Sequence, residues 1–539
     1  MSRPAPMHAL TLLLCLCAAP SAAAPRAALR LPAGLVIATI RIETHNVFDT
    51  DVPPENKLLY RAANKIRIQT HDAVIARELL FAVGDRYDPA LVAETERNLK
   101  LLPFIRHAEA EASVNKSGTV DVVMRTYDSW TLEVVASFKR AGGVVSGRAG
   151  LTENNLLGEG KMLSAIYRRD GDASSKVFAW KDPQFLGRPH LEYSMFAESA
   201  PGSQHYSLSL NRPFYASITR SALGGTALYT ENSVSTYSGD VPAGLVRRRV
   251  IEAGVDYGIA AATSTERIRR IKFGLLAHRA DFRTIADLPS GPVPESEQLG
   301  FMKVGGDWEE LDFITVRRIE KFTHDEDYNL GFAANPAVAW APAIGAFKTS
   351  EAQILPSLSL SKGFTWSSHL LFLKFDYSSK YVDGGNSNRL ASLGATYYVR
   401  GLRYQTLAFH TGLDLGWHLD PSAQLTLGES TGLRGYGLSE FTGNRRFLFN
   451  IEDRLYVWDE LWRLIDVGAV LFYDSGYAWP SSSSVKLSNL KNSVGLGLRL
   501  APTRSAGNNP VRIDLAYALS DNKSSSRWSL SILAGQAFH

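Results

Sequence analysis

From Trp130 to the C-terminus the chain is written in short segments with a period of two. Trp130, Leu132, Val134, Ala136 and Phe138 alternate with Thr131, Glu133, Ser137 and Lys139. Val494, Leu496, Leu498 and Leu500 alternate with Ser493, Gly495, Gly497 and Arg499. Val511, Ile513, Leu515, Tyr517 and Leu519 alternate with Arg512, Asp514, Ala516 and Ala518. The last segment places Trp528, Leu530, Ile532, Ala534 and Phe538 on one face, interrupted by Gln536. Successive side chains of a strand point to opposite faces, so each segment carries one apolar face that must leave water.

Two architectures remove such faces from water. A soluble β-sandwich buries one face of each sheet. A transmembrane barrel turns the apolar face to lipid and the polar face to a lumen, with strands of about ten residues. The barrel is favoured by the unbroken run of the pattern over residues 129–539, by aromatics such as Trp130, Phe138, Trp528 and Phe538 near strand ends, and by the start of the chain. There Arg3 precedes an apolar stretch, Ala9 to Ala19, and the small residues Ser21 to Ala24. Residues 1–23 therefore read as a secretory signal, too short to span a bilayer as a helix. The chain has 2 cysteines, Cys15 and Cys17, both inside that segment and both preceded by Leu, which argues against a lipoprotein anchor. The mature chain is then free of disulfides, thiol chemistry and Cys-ligated metal. The formal net charge of +4 and the lack of a basic run give no case for nucleic acid.

Residues 24–34 read as a linker and residues 35–128 as a small α+β unit. Val36, Ala38, Ile40 and Ile42 alternate as in a strand. Asp49 to Asn56 is polar and contains Pro, and residues 72 to 83 read as a helix started by Thr70 and stopped at Gly84. Asp88 caps a second helix with Pro89 at its first position, where the missing N–H costs nothing. Leu91, Thr95, Leu99 and Leu102 share one face of it, and Pro103 ends it. Ala108, Ala110, Ala112 and Val114, then Val120, Val122 and Met124, read as two strands around the turn Asn115 to Gly118.

In the strand region, Gly428 to Asn444 is a Gly-rich loop containing Leu433-Arg434-Gly435-Tyr436. The strand before Phe472-Tyr473-Asp474-Ser475-Gly476 points Ile465, Val467, Ala469, Leu471 and Tyr473 one way and Asp466, Gly468 and Asp474 the other. Its predecessor points Phe447, Phe449 and Ile451 outward and Asn450, Glu452 and Arg454 inward. A long loop that folds into a barrel loses entropy, and an arginine fork held by an inward carboxylate such as Asp474 or Glu452 offsets that loss.

This loop, two strands and an F-x-D-x-G strand end followed by three strands, together with Asn155-Leu156-Leu157-Gly158-Glu159-Gly160, Asp182 to Gly187 and Arg212-Pro213-Phe214, resembles the outer-membrane assembly and transport superfamily typified by BamA and TamA. Gly84 to Asp88, Asn98 to Leu102 and Phe104-Ile105 resemble a POTRA (polypeptide-transport-associated) domain, apart from a longer first connection, Asp49 to Gln69. A direct count gives fifteen candidate strands before residue 430 and five after it, with short candidates between residues 299 and 365 that could be loops or halves of long strands. The resemblance implies sixteen, and a sixteen-stranded antiparallel barrel at residues 129–539 is the expectation adopted. It also implies that Arg434, with Gly435 and Tyr436, anchors the loop on Asp474, with Glu452 as a second partner.

The resemblance further implies an outer-membrane protein whose N-terminal unit lies in the periplasm. Its partners would be outer-membrane lipids, unfolded client chains and accessory envelope proteins. Clients would be met at an edge strand of the N-terminal unit and at the seam between the first and last barrel strands, marked by Leu132, Val134, Leu530 and Ile532. Export of a single client through the lumen and a passive or structural barrel remain open. No G-x-S-x-G, H-E-x-x-H or P-loop is present and the 12 histidines are scattered, so no catalytic residue, cofactor or metal is expected.

Overall fold

The computed structural model describes residues 31–537 apart from 32, 54, 142–143, 171–172, 239–240, 286–292, 344–350, 383–384, 421–422, 481–482, 506–508 and 522–525. The signal segment, most of the linker and Phe538 lie outside the described residues.

The N-terminal unit comprises β1 (Ile37–His45), α1 (Leu58–Ile66), α2 (Asp72–Ala76), α3 (Pro89–Leu101), β2 (Ile105–Val114) and β3 (Val120–Asp128). The sheet order is β1-β3-β2, with β1 parallel to β3 and β2 antiparallel to it. Ile37, Val120, Val122 and Met124 meet Ile75, Leu99 and Phe104 in its core. Asp88 caps α3 by accepting from the Ala90 N–H at 2.8 Å. Two readings of this region change. The helix expected over residues 72 to 83 is confined to Asp72–Ala76. The longer first connection, Asp49 to Gln69, to which no element was assigned, contains α1.

Twenty strands then hydrogen-bond in a closed antiparallel ring, from Leu132–Ala141 to Trp528–Ala534. The expectation of sixteen is wrong. Fifteen barrel strands precede residue 430 and five follow it, which is the direct count from the alternation. The physical reason is that the motifs around residues 428–476 specify one strand–loop–strand arrangement. Hairpins can be added elsewhere in pairs, and the ring still closes.

The outward faces are apolar along the barrel: Leu223, Val255, Leu275, Val304, Leu393, Leu471 and Leu496 are each more than half exposed. The inward faces carry the polar and charged side chains, such as Asn450, Glu452 and Arg454 on one strand. Among the described residues no helix is long and apolar enough to cross a membrane.

Two segments enter the lumen. From the mouth beside the N-terminal unit (the near mouth), residues 311–332 fold inward around a small hairpin, Phe313–Val316 with Glu326–Asn329. Ile319, fully buried, packs with Leu370, Tyr398 and Ala408 of the wall. From the far mouth comes the Gly-rich loop, which lies between strands Gln405–Trp417 and Arg445–Leu461.

Candidate functional site: a lumenal arginine held by three strands

The register between strands Arg445–Leu461 and Ile465–Trp479 sets Asn450 opposite Asp474 and Glu452 opposite Phe472. All four side chains are buried. Strand Lys491–Pro502 adds Arg499, and strand Val511–Ala518 adds Asp514 opposite Gly497. Gly495 leaves room for Phe472: a Cβ there would lie 2.2 Å from the ring.

Arg434 descends into this wall. Its Nε donates to Asp474 Oδ2 at 2.7 Å and its NH2 to Asp474 Oδ1 at 2.8 Å, a two-pronged grip that only a guanidinium supplies. Its NH1 donates to Glu452 Oε1 at 2.8 Å and reaches Asp514 Oδ2 at 3.4 Å. The guanidinium carbon lies 3.5 Å from the centre of the Phe472 ring. Asn450 Nδ2 donates at 2.7 Å to Asp474 Oδ1, the oxygen that Arg434 NH2 also holds.

Charge balances locally. Arg454 Nε donates to Glu452 Oε2 at 2.9 Å, and Arg499 NH1 donates to Asp514 Oδ1 at 2.5 Å. Three guanidiniums thus face three carboxylates, Glu452, Asp474 and Asp514, all nearly excluded from water. Such a cluster is stable only while complete, because removing one member strands a buried charge.

The neighbours of Arg434 place the rest of the loop. Gly435 has φ +89, and a Cβ would lie 3.2 Å from the Ala518 nitrogen, so a side chain is strained on two counts. The Tyr436 hydroxyl donates to the Asn492 carbonyl at 2.7 Å, and its ring packs with Leu427, Leu433 and Phe441.

Glu429, in the same loop, touches both sides of the seam. Its Oε2 accepts from Ser529 Oγ at 3.0 Å, on the last strand, and from the Gly435 N–H at 3.0 Å. Its carbonyl accepts from Lys139 Nζ at 3.3 Å, on the first strand. Among the described residues the seam pairs only Leu530 with Arg140, Ser531 with Lys139 and Ile532 with Phe138. Seven pairs join the last strand to its other neighbour, and ten join the first strand to its own. Leu530 and Ile532 lie in the paired stretch. Leu132 and Val134 do not, and face Glu153 and Leu151 of the second strand instead.

The two lumenal segments are joined. Arg454 NH1 donates to the Ile319 carbonyl at 2.5 Å, and Gln536 Nε2 donates to the Glu320 carbonyl at 3.4 Å. Gln536 Oε1 accepts from Arg499 Nε at 3.2 Å. Sequence reasoning missed Glu429, Ser529, Asp514, Arg499 and Glu320. Arg499 and Asp514 stood on the polar side of their alternations, which was a usable signal. Glu429 and Glu320 sit in segments without period, where no signal existed.

The turns singled out by motif lie against the N-terminal unit. Asn155 Nδ2 donates to Thr70 Oγ1 at 2.8 Å, both buried. Gln184 Nε2 donates to the Val74 carbonyl at 3.1 Å, and its Oε1 accepts from Arg77 NH1 at 2.9 Å. Glu94 accepts from the Ser217 N–H and hydroxyl, each at 2.6 Å. Between this unit and the near-mouth segment lies a cavity of about 760 Å³ lined by Arg106, Arg317, Lys321 and His324. Burial, with the charges of Arg106 and Lys321, pushes the His324 imidazole down to about 3. Among the described residues no three His, Cys, Asp or Glu side chains are grouped to hold a metal.

No family model matches the chain, and no curated protein matches it. Similar solved structures include BamA from Haemophilus ducreyi lacking POTRA domains 1–3, at 12% identity and TM-score 0.39, covering 93% of this chain and 85% of that one. CdiB from Acinetobacter baumannii gives 10% identity and TM-score 0.43, covering 94% and 74%. OpdQ from Pseudomonas aeruginosa gives 8% identity and TM-score 0.36, covering 75% and 97%. At these scores the likenesses carry no argument about what this chain does.

Proposed function

We propose that this chain is an outer-membrane barrel that assists the insertion or translocation of client polypeptides, with its N-terminal unit, of the POTRA type, in the periplasm. The observation that carries the reading is the seam. It is short, and from inside it is held by Glu429 of a loop that is itself fixed on a buried arginine. A seam closed by three pairs opens at lower cost than any other strand junction of this ring, and its exposed strand edges can pair with an incoming strand. The N-terminal unit offers a second edge. Among the described residues β2 pairs only with β3, while the start of β1 is covered by residues 84–87. Two segments filling the lumen weigh against a passive pore. The reading assigns no catalytic role to any residue.

The test is photocrosslinking in cells from probes at Leu132 and Leu530, with a lumenal comparison probe at Ser392. Nascent barrel proteins captured at Leu530 and Leu132 support insertion. A single exported protein captured mainly at Ser392 supports translocation. Capture of no polypeptide at any of the three sites rejects client handling.

A further inference from the structure

α1 is a helix with three sides, and only one of them is used by the protein. Tyr60, Ala63 and Asn64 face inward. The Tyr60 hydroxyl donates to the Trp462 carbonyl at 2.8 Å, its ring lies 4.8 Å from that of Phe48, and Asn64 Nδ2 donates to the Phe48 carbonyl at 2.8 Å. At 100° per residue, Leu58, Ala62, Ile66 and Leu59 share a second side. Leu58 is 78%, Leu59 66% and Ile66 78% exposed. Arg61 and Lys65 form a third side, with Lys57 at the N-terminus, and among the described residues none of the three has an acidic partner.

The helix is attached at the rim of the barrel wall, beside exposed apolar side chains. The helix is fastened to the turn at Trp462, itself 73% exposed, and Trp458 and Val457 beside it are 58% and 49% exposed on the outer face of the barrel. Aromatics at such a rim mark the membrane–water interface. A groove lined by Leu59, Tyr60, Leu464 and Pro502 runs from the helix to Trp130, at the start of the first barrel strand.

We propose that α1 is an interfacial helix, seated in the headgroup region of the near leaflet, with Leu58, Leu59 and Ile66 in the acyl boundary and Arg61 and Lys65 against anionic phospholipid. A free helix of nine residues is too short to be stable in water. Here Tyr60 and Asn64 hold it in place, so lipid binding does not have to order it. The occupant is lipid rather than another protein because the helix is attached beside the exposed Trp462, Trp458 and Val457 at the barrel rim, and its apolar side is bordered by cations with no acidic partner among the described residues, the composition of membrane-surface helices. The consequence is a second anchor that keeps the N-terminal unit beside the bilayer near the start of the seam strand.

This inference rests on the barrel being membrane-embedded, and the experiment separates the two. The mature chain, free of cysteine without residues 1–23, is placed in nanodiscs of phosphatidylcholine and phosphatidylglycerol. A polarity-sensitive dye is attached at Leu59→Cys, at Leu471→Cys on the lipid face, or at Ser117→Cys in the β2–β3 turn. Spin-labelled lipid is the quencher. The expected result is strong quenching at Leu471, quenching and a blue-shifted emission at Leu59, and neither at Ser117. The Leu59 signal should weaken when Arg61 and Lys65 are both replaced by Gln. Quenching at Leu471 with a water-like signal at Leu59 overturns the interfacial helix alone. No quenching at either site overturns the membrane barrel as well.

Discussion

At the scale of single residues, the lumenal cluster depends on completeness. Arg434 contacts three buried carboxylates, so Arg434→Ala leaves Asp474 without its bidentate partner and should cost about 3–5 kcal/mol. Asp474→Ala should cost a similar amount, because it leaves the guanidinium half-satisfied. The double variant should cost well under the sum, since the two act through one interaction. The measurement is the rate of protease cleavage in the loop, followed alongside the temperature at which the folded barrel is lost. Additive effects would show that the pair is not the anchor. Gly435→Ala tests a different property. It keeps every charge but forces a left-handed φ and a close approach to Ala518, at about 1–3 kcal/mol. It should loosen the loop without the larger loss expected of Arg434→Ala.

At the scale of elements, the loop is bonded to both strands of the seam. Glu429→Ala should therefore speed seam opening while leaving Arg434 in place. A disulfide between Phe138→Cys and Ile532→Cys, which are paired in the seam, should form readily in the parent chain and more slowly once Glu429 is replaced. Equal rates would mean that the loop does not staple the seam. The second contact between elements is the docking of the N-terminal unit on the barrel turns. Asn155 and Gln184 each supply buried hydrogen bonds to it. Asn155→Ala and Gln184→Ala should each weaken docking by about 1–3 kcal/mol, because the partner atoms stay buried and lose their bonds. Broadened distances between spin labels on the unit and on the barrel would report it.

At the scale of the whole molecule, the lumen is entered from both mouths, and the segments meet through Glu452, Arg454 and the Ile319 carbonyl. Residues 311–332 bridge three bodies. Phe313 lies 4.4 Å beneath Arg97 of α3, Ile319 packs on the wall, and Glu320 receives Gln536 from the chain end. Replacing residues 314–328 by a short Gly–Ser turn should raise single-channel conductance of the reconstituted barrel severalfold, while the ring stays closed and the loop stays anchored. Unchanged conductance would mean that the far loop alone closes the lumen.

The sequence by itself decided for the barrel over a sandwich, because the period-two alternation runs unbroken over residues 129–539, with aromatics near strand ends. It also carried the strand count: the alternating segments numbered fifteen and five, and the ring has twenty strands divided in the same way. The error came from overriding a local pattern with a likeness centred on one loop. The inward parity of Glu452 and Asp474 was legible for the same periodic reason. α1 carried a usable signal, with Leu58, Ala62 and Ile66 stepping by four, which the reading of Asp49 to Gln69 as a connection passed over. The lumenal course of residues 311–332 was not legible, because its burial depends on walls formed by strands up to Ala501 and on the chain end at Gln536. The meeting of Glu429 with Lys139 and Ser529 was decided only by closure of the ring. Closure brings residues about 290 and 100 positions apart to one place, a distance no local pattern encodes.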